Sequence, residues 1–298
     1  LAARMGEYLE PLGVRTAFLH GGLAPDQRRR TLARIAGHEV DLVSGTHALF
    51  QDDVVFKRLG LVVIDEQHRF GVNQRQALRD KGLHADYLAM SATPIPRTLA
   101  LAMYGDYETA RISGLPGGRP PVSTLWVRTQ AGLDEALRDV EERIGRGEQA
   151  CFVCPAIGAD EADSVRAATA TWKRYAKTSL ASRGIALLHG RLDDNEKTRV
   201  MDDFIGGRVG LLVATSVIEV GIDNPGLSCI VIFEAQCFGL SQLHQLRGRV
   251  GRGRLPSVCY LVTQGQGAEE SGARMQVLLE SSDGFRIAEA DLALRGPG

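Results

Sequence analysis

Leu19-His-Gly-Gly-Leu23 returns as Leu188-His-Gly-Arg-Leu192, and the two histidines, His20 and His189, stand 169 positions apart. Val40-Asp-Leu-Val-Ser-Gly-Thr46 returns as Val209-Gly-Leu-Leu-Val-Ala-Thr215 at the same offset, and Leu61-Val-Val-Ile-Asp-Glu66 has its counterpart in Cys229-Ile-Val-Ile-Phe-Glu234 at an offset of 168. Self-similarity at a fixed long period marks a duplicated structural unit. Each copy reads as a short strand ending in His-Gly, an amphipathic helix, a buried apolar strand ending at Thr, a connection and a further buried strand. Helices alternating with continuous apolar strands predict parallel sheets with helices on their faces. The expected fold is α/β, with two similar parallel-sheet lobes in tandem.

Between the lobes, Leu115-Pro-Gly-Gly-Arg-Pro-Pro121 suits neither helix nor strand and reads as a linker. The expected ranges are 1–115 for the first lobe, 116–121 for the linker, 122–265 for the second lobe and 266–298 for a tail. The tail reads as a helical segment from Glu269 to Ser282 and a second helix beyond it, with Gly284 marking the turn. A length of 298 residues fits two domains, each able to bury a core. The formal net charge of −1 excludes a general basic field, so any nucleic-acid contact must come from a local patch. One patch stands out: from Ala235 to Ala268 there is no Asp or Glu, while Arg247, Arg249, Arg252 and Arg254 crowd together.

Cys151-Phe-Val-Cys154 has the spacing of a metal or redox motif, but it reads as a strand, which points positions three apart to opposite faces. The five cysteines are expected to be reduced core residues. No apolar run approaches the roughly twenty residues that cross a bilayer, and the start lacks a secretory pattern, so a cytoplasmic protein without membrane contact is expected. The chain opens on Leu1 and stops at Arg295-Gly-Pro-Gly298, which reads as a sequence cut at both ends.

Asp65 and Glu66 follow four apolar residues, and ligands of parallel sheets bind beyond the carboxyl ends of the strands. One hard carboxylate there suits Mg²⁺ and a second can orient or deprotonate an attacking water, although acidic residues also cap strands at a surface. Ser91-Ala-Thr93 lies at another expected strand end, where its hydroxyls either couple to the acidic pair or cap a loop. Arg249 and Arg252, interleaved with Gly248 and Gly251, are placed to grip phosphate oxygens, since guanidinium forks match them and the glycines permit close approach. Gly221 permits an unusual turn, and Asp223 can accept from a sugar hydroxyl. No G-x-x-x-x-G-K-[ST] loop, and no Gly-Lys pair, occurs anywhere in the chain.

Taken together, these residues resemble the superfamily 2 helicases: Asp65-Glu-Gln-His68 as motif II, Ser91-Ala-Thr93 as motif III, Thr215 to Asp223 as motif V and Gln245 to Arg252 as motif VI. They are similar more narrowly to the RecG-like branched-DNA helicases, through Gly45-Thr-His-Ala-Leu-Phe50, Asp65-Glu-Gln-His-Arg-Phe-Gly-Val72, Met90-Ser-Ala-Thr-Pro-Ile-Pro-Arg-Thr98, Phe238 to Gly253 and the tail from Asp283 to Gly298. That resemblance implies two RecA-like lobes and a C-terminal helical hairpin coupling lobe motion to travel along duplex DNA, with Arg295 and Gly296 in the hairpin's motif. It implies ATP and Mg²⁺ as cofactors, Asp65 as the metal ligand, Glu66 as the residue activating water, and Arg249 and Arg252 reaching the ATP phosphates. Gln67, His68, Gly221, Asp223 and Gln245 would bind ATP or couple it to lobe closure, Ser91, Ala92 and Thr93 would relay that coupling, and Gly45, Thr46 and Thr215 would contact the DNA backbone. The implied partners are branched and duplex DNA (forks and Holliday junctions, in recombination and repair) and a single-stranded DNA-binding protein, with the motor acting as a monomer.

The sequence departs from that family pattern in three places. The phosphate loop is expected ahead of Leu1, the N-terminal wedge domain is not among these residues, and Ala235-Gln-Cys237 stands where an acidic and then a basic residue are expected. Without the lysine and amide nest that hold the β and γ phosphates, the 298 residues alone are expected to hydrolyse ATP weakly or not at all. Two other readings compete: the motor of a transcription-repair coupling factor, which shares the tail motif, and a DNA-binding module that does not hydrolyse ATP. Gln67-His68 and Gln242-Leu-His244 favour the RecG-like reading over the first.

Overall fold

The computed structural model describes residues 2–66, 70, 77, 80–82, 85–91, 108, 110, 112, 120–155, 161–215, 224–264 and 271–295. The chain divides into two compact units, Leu1–Ala92 and Thr93–Gly298.

In the first unit, helix α1 (Ala2–Leu9) leads to strand β1 (Thr16–Leu19), helix α2 (Pro25–Ala36) and strand β2 (Leu42–Gly45), with β1 and β2 paired in parallel. Pro25 opens α2, where its fixed φ suits the first turn and its missing N–H costs nothing. Strands β3 (Leu61–Ile64) and β4 (Asp86–Ala89) form a second parallel pair. The apolar run of β3 leads one to expect a strand buried on both faces, and the structure corrects this. Val62 and Ile64 pack against Phe50, Leu59, Phe70, Ala85 and Tyr87, while Leu61 and Val63 are 55% and 51% exposed. Among the described residues the reason is lateral as well as facial: β3 has one strand neighbour there, and the cluster beneath it covers one side.

The second unit holds a six-stranded parallel sheet of order β5-β10-β9-β6-β8-β7. Its strands are β5 (Ser123–Val127), β6 (Gln149–Val153), β7 (Ile185–Leu188), β8 (Leu211–Ala214), β9 (Leu227–Ile232) and β10 (Val258–Val262). Strands β6, β8, β9 and β10 are buried throughout, as continuous apolar runs require when helices cover both faces. Helices α3 (Gln130–Gly145) and α4 (Glu161–Tyr175) supply one face, around Phe152, Val213, Val231 and Tyr260. Helices α5 (Asp194–Ile205), α6 (Leu240–Arg247), α7 (Gly272–Glu280) and α8 (Gly284–Arg295) supply the other, around Leu212, Ile230, Ile232 and Leu261. The tail is thus a pair of helices, as its sequence suggests. Gly284 starts α8 rather than lying in the turn, because the Asp283 carboxylate accepts the Phe285 N–H at 2.8 Å and begins the helix there.

The repeat is visible residue by residue. Helices α2 and α5, strands β1 and β7, and strands β2 and β8 are each displaced by 169 positions at both ends. The Thr46 N–H donates to Leu19 O at 3.2 Å, and its counterpart, the Thr215 N–H, donates to Leu188 O at 3.2 Å. The two helices start differently: α5 has a capping box between Asp193 and Glu196, and α2 has Pro25 behind Ala24.

Candidate functional site

Strand β3 delivers Asp65 and Glu66 to its carboxyl end. The Met90 N–H donates to Ile64 O at 2.7 Å, which holds Ser91 on the same edge of the first unit. Asp65 is exposed and its Oδ1 accepts the Glu66 N–H at 2.9 Å, while Glu66 is half-buried with φ 51°. A left-handed backbone costs a side-chain-bearing residue free energy and persists where the surroundings impose it. In the second unit Glu234, the repeat counterpart of Glu66, has φ 48° after β9. Both lobes therefore end the same strand in the same strained carboxylate, a feature that the sequence registers only as a shared Glu.

A single hard carboxylate fits Mg²⁺ that arrives with phosphate oxygens and water, rather than a cation needing a full protein cage. Among the described residues no group of three or more His, Cys, Asp and Glu is placed to hold a metal ion. The cysteines do not form one either. Cys151 packs in the cluster on one face of the second sheet and Cys154 in the cluster on the other. Burial raises the Cys154 thiol to about 11 and Cys259 to about 12, so both stay protonated and poorly nucleophilic at neutral pH.

Gly45 and Thr46 lie at the carboxyl end of β2, and Thr215 lies at that of β8. Thr46 is exposed and Thr215 is buried. Gly45 has a packing reason for being glycine: a Cβ there would come within 2.3 Å of Leu19 O and 2.9 Å of Leu49 Cγ.

Helix α6 carries Gln245 and ends at Arg247; the chain continues through a turn in which the Arg249 N–H donates to Leu246 O at 3.0 Å. Arg252 lies beyond that turn and donates from Nε to Gly248 O at 3.2 Å. Arg249 and Arg252 are half-buried, and Gly251, at φ 76°, shapes the bend between them. Arg247 does not belong to the surface patch that its sequence neighbours suggest. It is 6% exposed and donates through Nη1 to Leu278 O at 2.7 Å and Ser281 O at 3.0 Å, at the carboxyl end of α7. Its Nη2 donates to His244 Nδ1 at 3.0 Å. An always-protonated guanidinium fixes His244 Nδ1 as acceptor, and burial followed by the nearby Arg247 charge lowers His244 to about 4.

Gln67, His68, Ala92, Thr93, Gly221, Asp223 and Gly296 lie outside the described residues, as does the side chain of Arg295 at the end of α8.

Residues 1–102 match the DEAD/DEAH box helicase family, and residues 135–254 match the helicase conserved C-terminal domain. With the duplicated parallel sheets, these matches define the class: both lobes are those of a superfamily 2 helicase core. ATP-dependent DNA helicase RecG of Acidithiobacillus ferridurans is 46% identical over 298 residues, which is 100% of this chain and 43% of that protein. The Bacillus subtilis (strain 168) protein of the same name is 43% identical over 289 residues, 97% of this chain and 42% of that one. The structure of RecG bound to a three-way DNA junction superposes with a TM-score of 0.77 at 42% identity, covering 99% of this chain and 38% of that one. The chain belongs to the RecG-like helicases, and it spans about two fifths of the length of these relatives.

Proposed function

We propose that these residues form the motor core of an ATP-dependent helicase that moves along duplex DNA and remodels branched DNA in recombination and repair. The carrying observation is the identity of 46% over 298 residues, a span that takes in both lobes and the tail, to a protein named for ATP-dependent DNA helicase activity. Support also comes from the likeness to RecG on a three-way junction. In this reading Asp65 holds Mg²⁺ and Glu66 orients and deprotonates the attacking water, its left-handed backbone fixing where the carboxylate sits. Bound Mg²⁺ supplies neutralising charge to the phosphate oxygens. Arg249 and Arg252 stabilise charge on the transferring phosphoryl group. Gln67, His68, Gly221, Asp223 and Gln245, with Ser91, Ala92 and Thr93, pass the nucleotide state on, while Gly45, Thr46 and Thr215 hold the DNA backbone and Arg295 and Gly296 belong to the translocation hairpin. The lobes take the ranges 1–115 and 122–265, joined by 116–121, with the hairpin at 266–298. The protein acts as a cytoplasmic monomer alongside a single-stranded DNA-binding protein.

The test compares two chains. The 298 residues alone hydrolyse ATP weakly, because no Gly-Lys phosphate loop occurs among them. A chain extended upstream through such a loop hydrolyses ATP with DNA stimulation and unwinds synthetic forks. In it, Glu66→Gln abolishes turnover and Arg252→Ala lowers it by on the order of a thousandfold, as loss of an arginine finger does. Brisk turnover by the short chain, or unchanged turnover in either variant of the long one, overturns the assignment concerned.

A further inference from the structure

In the second unit the chain leaves β6 toward β7 on one side of the sheet order, then returns to place β9 on the other side of β6 and β10 beyond it. The crevice between the carboxyl ends of β6 and β9 is therefore the point where the winding reverses, and that is where open parallel sheets bind ligands. A cavity of about 350 Å³ opens there, walled by Cys154 and Pro155 after β6 and by Phe233 and Glu234 after β9. Its size is at the small end of the roughly 300–1,000 Å³ typical of ligand sites.

The wall is built from groups that no role proposed above uses. Tyr175, 4% exposed, lines the cavity, and its hydroxyl has no hydrogen-bond partner among the described residues. That oxygen is itself buried out of reach of an occupant, so Tyr175 offers the cavity its ring. The Tyr175 and Phe233 rings lie 22° from parallel with centroids 6.5 Å apart, and the Arg174 guanidinium stands 5.4 Å over the Tyr175 ring. Around this flat apolar wall come one carboxylate, Glu234, one amide, Gln264, and one cation, Arg174. Opposite single charges suit a neutral ligand rather than a polyphosphate. The Glu234 carboxylate and the Gln264 amide beside stacked rings suit a planar ring that both donates and accepts hydrogen bonds. Glu234 is also held at φ 48°, a strain that gathers at functional sites.

We propose that this cavity is a base-binding site of the second unit that takes a nucleobase as a free nucleoside or as a base extruded from DNA. The proposal goes beyond the motor reading, and its test involves no ATP. The 298-residue chain is titrated calorimetrically with adenosine, guanosine, cytidine and thymidine. In parallel it is mixed with single-stranded oligonucleotides carrying 2-aminopurine, whose fluorescence rises when the base unstacks. Saturable binding of at least one nucleoside, or a saturable fluorescence rise, is expected. Gln264→Ala weakens the response about tenfold, equivalent to one hydrogen bond of about 1.4 kcal/mol. The same variant keeps the melting temperature, because it shortens an exposed side chain. Glu234→Gln weakens binding of the bases that present N–H donors. A nucleoside signal alone identifies free nucleoside as the source, and an oligonucleotide signal alone identifies an extruded base. Absence of both signals overturns the proposal, and so does binding that neither variant changes.

Discussion

At the scale of single residues, Gly45 and His244 show how a position in a family motif can answer first to packing. A Cβ at Gly45 would strike a backbone carbonyl 2.3 Å away, and that carbonyl, Leu19 O, also accepts the Thr46 N–H. Gly45→Ala is expected to destabilise the first unit by about 1–3 kcal/mol, as overpacking does. Chemical unfolding followed in the first unit measures this, and a midpoint equal to that of the unsubstituted chain would show that packing does not require glycine there. His244 makes a pH-dependent prediction. Its folded pKa, about 4, lies below the ordinary 6.5, with Asp283 opposing and Arg247 reinforcing the shift that burial begins. The unfolded chain binds the proton first as pH falls from 6.5 toward 4, so stability is full above 6.5 and is lost through that window. The loss approaches roughly 3 kcal/mol, at about 1.4 kcal/mol per pKa unit. His244→Gln should remove that part of the pH dependence; an equal fall in urea midpoint from pH 6.5 to 5 in the variant and the unsubstituted chain would exclude His244 as the source.

At the scale of elements, helix α6 connects to the α7–α8 pair through polar contacts as well as apolar ones. Arg247 closes the carboxyl end of α7 with two bonds, to Leu278 O and Ser281 O, where a cation also complements the helix dipole. Arg247→Met keeps much of the stem packing and strands both carbonyls, each costing about 1–3 kcal/mol if it stays dry. Amide exchange should then accelerate in α7 and the start of α8 while β6, β8 and β9 keep their protection. Uniform acceleration across the second unit would make Arg247 a general core residue instead. Much of this level was legible in the sequence. The 169-residue repeat placed α2 against α5 and β1 against β7 because apolar period and turn residues are local signals. The tail's two helices were legible for the same reason, and the start of α8 was misjudged by the local pull of Asp283 as an N-cap. The inward turn of Arg247 was not legible, since its partners are carbonyls more than thirty positions away whose identity leaves no mark in the sequence. The left-handed Glu66 and Glu234 were equally hidden, because glutamate carries no preference for that conformation.

At the scale of the whole molecule, the two units are unequal versions of one design. In the second, β6 lies between β8 and β9 and pairs with both. In the first, the counterparts β2 and β3 belong to separate two-stranded sheets. Strands β2 and β4 have no buried residue, β1 has one and β3 has two, where β6, β8, β9 and β10 are buried at every residue. Local stability follows buried apolar contact, and unpaired strand edges contribute none. The 298-residue chain is therefore expected to unfold in two steps, with the first unit opening at lower denaturant than the second, read by hydrogen exchange of β1 to β4 against β6 to β10. The repeat also says what is needed to change this. At an offset of 169, the counterpart of Gln149–Val153 falls about twenty residues ahead of Leu1, in register to pair with β2 on one side and β3 on the other. A chain extended upstream to supply an apolar parallel strand there should raise the first transition toward the second and slow exchange on the facing edges of β2 and β3. If the extended chain leaves those edges as fast as before, the two lobes do not share a sheet order, and the repeat stops at the elements that both lobes already show.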